Sequence, residues 1–238
     1  MSDQKITFTI DGAEVHGRAG QTILQAADEA GVYIPRLCAH KDLSPFGSCR
    51  VCTVMVNGRP QTACTFPISE GMIVENDTEK LREIRRDIID MLFVEGNHWC
   101  MFCEASGNCE LQALAYRFGI TAPKYPYLFP KRQIDMTHGE VFIDRDRCIL
   151  CARCVRASKE IDHKGVYEFV GRGPHKRIAV DAAGGLGDTR ASRDDKAVAV
   201  CPVGSLLPKG TGCKVPVGRR TFDAAPIGPG NVNRAPRQ

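Results

Sequence analysis

The sequence lacks the common motifs by which proteins bind nucleotides. No Gly-x-Gly-x-x-Gly run follows a predicted strand, and no phosphate-binding P-loop is present. The one suggestive stretch, Gly171-Arg172-Gly173, leads into Pro174 rather than into a helix. We therefore expect nicotinamide and flavin to bind elsewhere, and we expect no catalytic residues in the isolated chain.

Long apolar runs are also missing. No stretch approaches the ~18 consecutive apolar residues of a membrane span, so we expect a soluble chain with no direct membrane insertion. Residues 1–10 show no basic start and no apolar run typical of a secretory signal. A cytoplasmic location is therefore predicted, and in that reducing compartment cysteines are expected to serve as ligands rather than as disulfides.

Strong charge of one sign is absent except at the C-terminal end. The net charge is +4 over 238 residues, yet residues 209–238 carry six basic side chains against one acid, Asp223. This segment is rich in proline and glycine, a composition that cannot bury enough surface to fold alone. It is either a disordered end or an arm that becomes ordered along a partner subunit. Nucleic acid binding is not expected, because the basic residues lack interleaved aromatics.

Cysteine is what the chain has in excess. Eleven of its twelve cysteines fall into three clusters, and Cys213 stands apart. The clusters are Cys38, Cys49, Cys52 and Cys64; Cys100, Cys103 and Cys109; and Cys148, Cys151, Cys154 and Cys201. Thiolates bind both zinc and iron-sulfur clusters, so the spacing within each cluster has to distinguish the two.

The first cluster has the spacing of a modified plant-type ferredoxin. That family uses Cys-x4-Cys-x2-Cys with a distant fourth cysteine. Here the pair Cys49 and Cys52 is kept, the gap after Cys38 is lengthened to ten residues, and a gap of eleven residues separates Cys52 from Cys64. The spacing predicts a 2Fe-2S cluster on these four residues, with a zinc knuckle as the alternative. Backbone N–H groups of the loop around Cys49 are expected to point at the sulfurs.

The third cluster resembles half of a bacterial ferredoxin, whose run is Cys-x2-Cys-x2-Cys-x3-Cys-Pro. Cys148, Cys151 and Cys154 keep the run, but Ser158 replaces its fourth cysteine. A partner run counted back from Cys201 would require cysteines where the chain has Ala191, Asp194 and Ala197. We therefore expect one 4Fe-4S cluster, held by the run and by Cys201, with the second cluster site lost.

The middle cluster offers three thiolates and needs a fourth ligand. His98 lies two residues before Cys100 and is the obvious candidate, whereas Cys213 is the other unassigned thiol. Gly96-Asn97 ends the preceding helix, so His98 and Cys100 need not face opposite sides of it. We expect a 4Fe-4S cluster on His98, Cys100, Cys103 and Cys109.

Hydrophobic periodicity predicts an α+β chain. Strands at 5–10 and 13–18, a helix at 22–30 and strands at 51–57 and 72–75 suggest a plant-ferredoxin-like β-grasp domain. Long helical patterns at 78–95 and 110–118 enclose the middle cluster. The predicted organisation is 1–78, the 2Fe-2S domain; 79–120, a helical 4Fe-4S domain with one histidine and three cysteine ligands; 121–139, an extended linker; 140–208, the 4Fe-4S ferredoxin-like domain; and 209–238, the basic interaction tail.

These motifs, in this order, resemble a known family. Residues 34–38 (IPRLC), 47–52 (GSCRVC), 98–103 (HWCMFC), 107–112 (GNCELQ) and 148–154 (CILCARC) carry the resemblance. They are similar to the N-terminal iron-sulfur region of the complex I large subunit, and more closely to the small diaphorase subunit of NAD-reducing soluble nickel-iron hydrogenases. In complex I the histidine ligand lies four residues before its first cysteine, a position occupied here by Gly96.

The resemblance implies an electron-relay subunit of a hydrogen:NAD oxidoreductase. Its expected partners are a flavin- and NAD-binding diaphorase subunit and the small and large nickel-iron hydrogenase subunits. Two alternatives remain open at this stage. The same relay could serve a formate dehydrogenase or a complex I-like NADH dehydrogenase, and a zinc-binding scaffold would have no redox role.

Overall fold

The computed structural model describes residues 5–212 and 214–232 and contains both helices and strands, as predicted. Cys213 lies outside the described residues. The strands are β1 Lys5–Ile10, β2 Ala13–Arg18, β3 Thr53–Val56, β4 Arg59–Thr62, β5 Ile73–Glu75, β6 Ile134–Asp135, β7 Val141–Asp144, β8 Tyr167–Val170, β9 Arg177–Val180 and β10 Leu206–Pro208. The α-helices are α1 Ile23–Glu29, α2 Glu79–Val94, α3 Glu110–Arg117, α4 Arg153–Glu160 and α5 Lys196–Ala199.

The N-terminal region is a five-stranded sheet in the order β2-β1-β5-β3-β4, crossed by α1. Asp11 and Gly12 form the hairpin turn between β1 and β2, both with positive φ. Thr22 and Gln25 form a capping box that starts α1. Strand β4 was not predicted, because its Arg-Pro-Gln-Thr sequence lacks the alternation of a half-buried strand.

Two helices flank the middle cysteine cluster. Thr78 caps α2 by accepting from the Leu81 N–H, and the Cys109 side chain caps α3 by accepting from Gln112. Leu81 and Ile89 of α2 are fully buried. The linker that follows is held against α2, since the Asp90 carboxylate accepts from the Lys124 N–H at 2.9 Å.

The C-terminal ferredoxin-like region combines the sheet β10-β7-β6, the hairpin β8-β9 and two helices. Helix α4 starts directly after Ala152 and carries Cys154. Its eight residues include arginines, a serine and a lysine, so the apolar periodicity that predicts longer helices is missing. The elements β6, β10 and α5 were not predicted because, at two, three and four residues, they are too short to show a periodicity.

Residues 214–232 pack on the chain itself. The Ile227 side chain is fully buried, and its backbone carbonyl accepts from Arg117 at 2.9 Å. The Thr221 N–H and hydroxyl both donate to the Asn108 side chain, at 2.9 and 2.8 Å. The composition predicts disorder, or order only along a partner, whereas residues 214–232 contact this chain; the role of the segment as an interaction tail stays a prediction. The segment is held by a few apolar contacts, chiefly those of Ile227, which its overall composition does not reveal.

Candidate iron-sulfur sites

The four cysteines of the first cluster are all buried and lie together between the N-terminal sheet and the loop after α1. Gly47 and Arg50, on either side of Cys49, both have left-handed φ values, +73° and +62°. A Cβ at Gly47 would also come within 3.1 Å of Thr65. The loop therefore turns sharply on both sides of Cys49, and the Cys38 N–H donates to the Cys49 sulfur at 3.4 Å.

Mutual contacts between these thiols dominate their electrostatics. Side-chain hydrogen bonds from Cys49 and Cys64 hold the pKa of Cys38 well below its usual range, and the same contacts raise the pKa of both partners. Backbone N–H groups of Cys49 and Ser48 also lower the Cys38 pKa. A site that stabilises thiolate with inward-pointing N–H groups fits a metal cluster.

The cysteines of the third cluster line one cavity, together with apolar side chains. Its lining includes Cys148, Cys151, Cys154 and Cys201. Leu150 and Ala152, which flank Cys151 in the run, have φ values of +53° and +58°. Such a conformation costs about 1–2 kcal/mol for a residue other than glycine, so the surrounding fold must hold it in place. The Leu150 N–H is thereby turned toward the Cys148 sulfur at 3.4 Å.

The positions at which a second cluster would need ligands have structural roles in this chain. Ser158 is buried, and its hydroxyl accepts from the Val166 N–H at 2.9 Å. Ala191 and Ala197 are buried in the apolar core of the C-terminal region. These three positions therefore now stabilise the fold through packing and hydrogen bonding.

The three thiols of the middle cluster are brought together at the turn between α2 and α3. Burial is the main cause that raises the pKa of Cys109, and the charges of Cys103 and Cys100 raise it further. A Cβ at Gly204 would lie 2.4 Å from the Cys103 sulfur, so only glycine fits there. Arg147 reaches the same sulfur at 3.6 Å, which ties this site to the C-terminal region.

His98 is half-buried, and its imidazole packs against Gly96. Its Nε2 has no hydrogen-bond partner, whereas a Cβ at Gly96 would come within 2.5 Å of that atom. Burial lowers the pKa of His98 to about 4, although a hydrogen bond to the Leu92 backbone raises it. The ring is therefore neutral at pH 7, the form that binds metals. The glycine two positions earlier leaves room for the imidazole that a residue with a side chain would block.

Buried arginines surround the cysteines. Arg153 is 1% exposed and donates to both Glu110 oxygens and to the Ala39 carbonyl. Arg156 is also buried, and it donates to the Cys38 and Cys151 carbonyls. The exposed Arg50 is the only one of the three that lies on a solvated face. Glu110 balances the charge of Arg153, whereas a buried cation such as Arg156 is costly without nearby negative charge and therefore fits an anionic cluster close to it.

The described cysteines are available as ligands. All eleven are free thiols. Within residues 5–212 and 214–232, no group of three or more His, Cys, Asp or Glu side chains is placed to hold one metal ion. An iron-sulfur cluster distributes its protein ligands over two or four irons, so they need not converge on a single point.

Three residues that contact these sites were not predicted from the sequence. Glu110 pairs with Arg153, Gly204 makes room for Cys103, and Arg147 contacts the Cys103 sulfur. The signal for Glu110 was its place directly after Cys109. Arg147 directly precedes Cys148, and Gly204 lies three residues after Cys201. Both residues nevertheless contact Cys103 of the middle cluster.

Family models match three consecutive regions of the chain. Residues 3–79 match a 2Fe-2S iron-sulfur cluster binding domain. Residues 85–124 match the NADH-ubiquinone oxidoreductase-G iron-sulfur binding region. Residues 140–207 match the ferredoxin-like domain of NADH-quinone oxidoreductase subunit 3. The predicted 2Fe-2S and 4Fe-4S ferredoxin-like regions are thus confirmed.

Two groups of relatives differ in length. The NADPH-Fe(3+) oxidoreductase alpha subunit of Geobacter sulfurreducens is 35% identical over 86% of this chain, which spans 24% of that protein. The mitochondrial NADH-ubiquinone oxidoreductase 78 kDa subunit of Candida albicans is 31% identical over 86% of this chain, which spans 29% of it. The chain thus corresponds to about a quarter of these longer relatives.

A shorter relative matches from end to end. The gamma subunit of the NAD-reducing hydrogenase HoxS of Cupriavidus necator is 41% identical over 92% of this chain and 93% of its own length. A crystal structure of an NAD+-reducing [NiFe]-hydrogenase in the H2-reduced state contains a chain with 43% identity and a TM-score of 0.91. That match covers 95% of this chain and 98% of the other. The chain belongs to the family of iron-sulfur gamma subunits of NAD-reducing hydrogenases, which is related to complex I.

Proposed function

We propose that the chain carries electrons between a flavin- and NAD-binding diaphorase subunit and a nickel-iron hydrogenase. One observation carries this proposal. A single apolar core, here called the joining core, contains Cys38 and Cys49 of the first cluster and Cys151 of the third, and Cys109 and Cys201 pack against it. Ligands of all three sites therefore border one buried region, as a continuous electron path requires.

The ligand assignment follows the three groups of side chains described above. A 2Fe-2S cluster would be held by Cys38, Cys49, Cys52 and Cys64. One 4Fe-4S cluster would be held by Cys148, Cys151, Cys154 and Cys201, and another by Cys100, Cys103, Cys109 and His98. The orphaned, buried Nε2 of His98 supports its role as the fourth ligand. The iron-sulfur clusters would supply one-electron chemistry, and the chain's own residues would orient the clusters and exclude water from them.

The proposed domain boundaries place one cluster in each of the regions 1–78, 79–120 and 140–208. The C-terminal region would retain one of the two clusters of a bacterial ferredoxin. Buried Ser158, Ala191 and Ala197 support this loss, because each takes part in packing where a ligand would be needed.

Partner surfaces are suggested by exposed apolar side chains around the middle site. Met101 is 88% exposed and Phe102 78%, and both lie between the ligands Cys100 and Cys103. Exposed apolar patches of this kind commonly mark protein interfaces. The gamma-subunit relative favours a hydrogenase partner over a formate dehydrogenase. No helix in the described parts of the chain is long and apolar enough to cross a membrane.

The test compares the isolated full-length chain with the assembled complex. A chemical reductant should bleach the visible absorption of the isolated chain, whereas NADH and hydrogen should not. Adding the purified diaphorase partner should make NADH effective, and adding the hydrogenase partners should make hydrogen effective. NADH-driven bleaching of the chain with no flavoprotein present would contradict the proposal.

A further inference from the structure

Arg156 lies between the loops of two cysteine sites. It is 7% exposed, on α4, two residues after Cys154. Its Nη2 donates to the carbonyl of Cys38 at 2.5 Å and to that of Cys151 at 3.4 Å. One guanidinium thus contacts the backbone of a candidate ligand from each of two sites.

Further contacts join the loops of these two cysteine sites. Nη1 of Arg156 donates to the Ser44 carbonyl, and the Ser48 hydroxyl donates to the Leu150 carbonyl at 3.4 Å. Cys38 and Cys151 also belong to the joining core. The guanidinium therefore lies in a region from which water is largely excluded, where a charge acts more strongly than it would at the surface.

Arg156 has no carboxylate partner within 4.0 Å among the described residues. Glu160, one turn further along α4, is exposed and accepts from the Ser44 N–H at 3.0 Å instead. Every hydrogen-bond acceptor of Arg156 in the described parts of the chain is a backbone carbonyl. Its positive charge is not neutralised by any described protein group in direct contact.

The neighbouring arginines differ in this respect. Arg153 is bound at both carboxylate oxygens of Glu110, at 2.7 and 2.8 Å, so that pair has little net charge. Arg50 lies between the ligands Cys49 and Cys52 in sequence but is exposed, so solvent screens its charge. Arg156 alone of these three combines burial with an unpaired charge.

We infer that Arg156 is a positioning residue that raises the reduction potentials of both the 2Fe-2S cluster and the C-terminal 4Fe-4S cluster. The inference rests on the proposed function, because it assumes clusters at these two sites. Reduction adds one negative charge to a cluster, and a buried cation nearby stabilises that charge. By contacting both loops, the same side chain also fixes the distance between the two sites.

The test is an EPR-monitored reductive titration of the full-length chain, purified anaerobically with its clusters. Arg156→Gln removes the charge, Arg156→Lys keeps it but loses the forked contacts, and Arg59→Gln, at an exposed arginine on β4 outside the cysteine loops, is the matched control. At a fixed solution potential, Arg156→Gln should lower the reduced-to-oxidised ratio of the 2Fe-2S cluster at least tenfold. Tenfold corresponds to about 59 mV for a one-electron couple. The C-terminal cluster should shift in the same direction.

Arg156→Lys and Arg59→Gln should change that ratio less than threefold. If Arg156→Gln fails to retain its clusters, the inference still requires Arg156→Lys to retain them near the wild-type potential. The inference is overturned if Arg156→Gln titrates like the wild type. It is also overturned if Arg156→Lys and Arg156→Gln shift the cluster potentials equally, or lose iron equally. A wild-type chain without iron would instead refute the proposed function, so the two failures are distinguishable.

Discussion

Arg153 and Glu110 form a bidentate ion pair in the interior, with N–O distances of 2.7 and 2.8 Å. Glu110 follows Cys109, a proposed ligand of the middle site, and Arg153 precedes Cys154, a proposed ligand of the third site. A further contact from Arg153 reaches the Ala39 carbonyl, next to Cys38. One ion pair thus connects the segments that carry all three sites.

Replacing Glu110 by glutamine should destabilise the whole chain. The change leaves the Arg153 guanidinium buried without its counter-charge, which typically costs about 3–5 kcal/mol. We expect a thermal midpoint several degrees lower at a fixed scan rate. Glu79→Gln is the control, because Glu79 pairs with Arg86 on an exposed face and should leave the midpoint unchanged. Equal midpoints for the two variants would show that the buried pair does not hold the regions together.

Ile227→Ala should also be destabilising, although Ile227 lies in a segment with the composition of a tail. Its side chain is fully buried in the joining core, and truncating such a residue costs about 2–5 kcal/mol. Val217→Ala in the same segment is the control, since Val217 is 81% exposed. Thermal midpoints measured side by side should fall only for Ile227→Ala. Equal midpoints would mean that the segment is not docked in solution.

The fourth ligand of the middle cluster can be tested by three substitutions. His98→Ala should lose about four of roughly ten irons per chain, because it leaves three thiolates. His98→Cys should retain the iron at a lower potential, since a thiolate adds negative charge where the imidazole was neutral, as in the contrast with Rieske centres. Cys213→Ser should change neither iron content nor EPR spectra.

The opposite pattern would reassign the ligand. If Cys213→Ser loses about four irons while His98→Ala keeps them, Cys213 is the ligand and His98 is a buried packing residue. Iron analysis and low-temperature EPR on anaerobically prepared protein measure both outcomes.

The cysteine sites could be predicted from the sequence because most cysteines of one site lie close together along the chain. Cys148, Cys151 and Cys154 are three apart, so their convergence follows from local geometry. The partners of Arg153 and Arg156 could not be predicted in this way, because Glu110 and Cys38 are distant in sequence. Helix α4 was missed because its buried residues include these two arginines, which do not contribute to an apolar pattern. Docking of residues 214–232 depends on a few tertiary contacts that their composition does not reveal.

The central claim, a chain with three iron-sulfur clusters, is tested most directly by metal analysis of the anaerobically purified full-length protein. One 2Fe-2S and two 4Fe-4S clusters predict about ten irons per chain, with little zinc and a broad visible absorption that bleaches on reduction. About two or three zinc atoms per chain, with little iron and no visible absorption, would contradict the claim and support a zinc-binding scaffold instead.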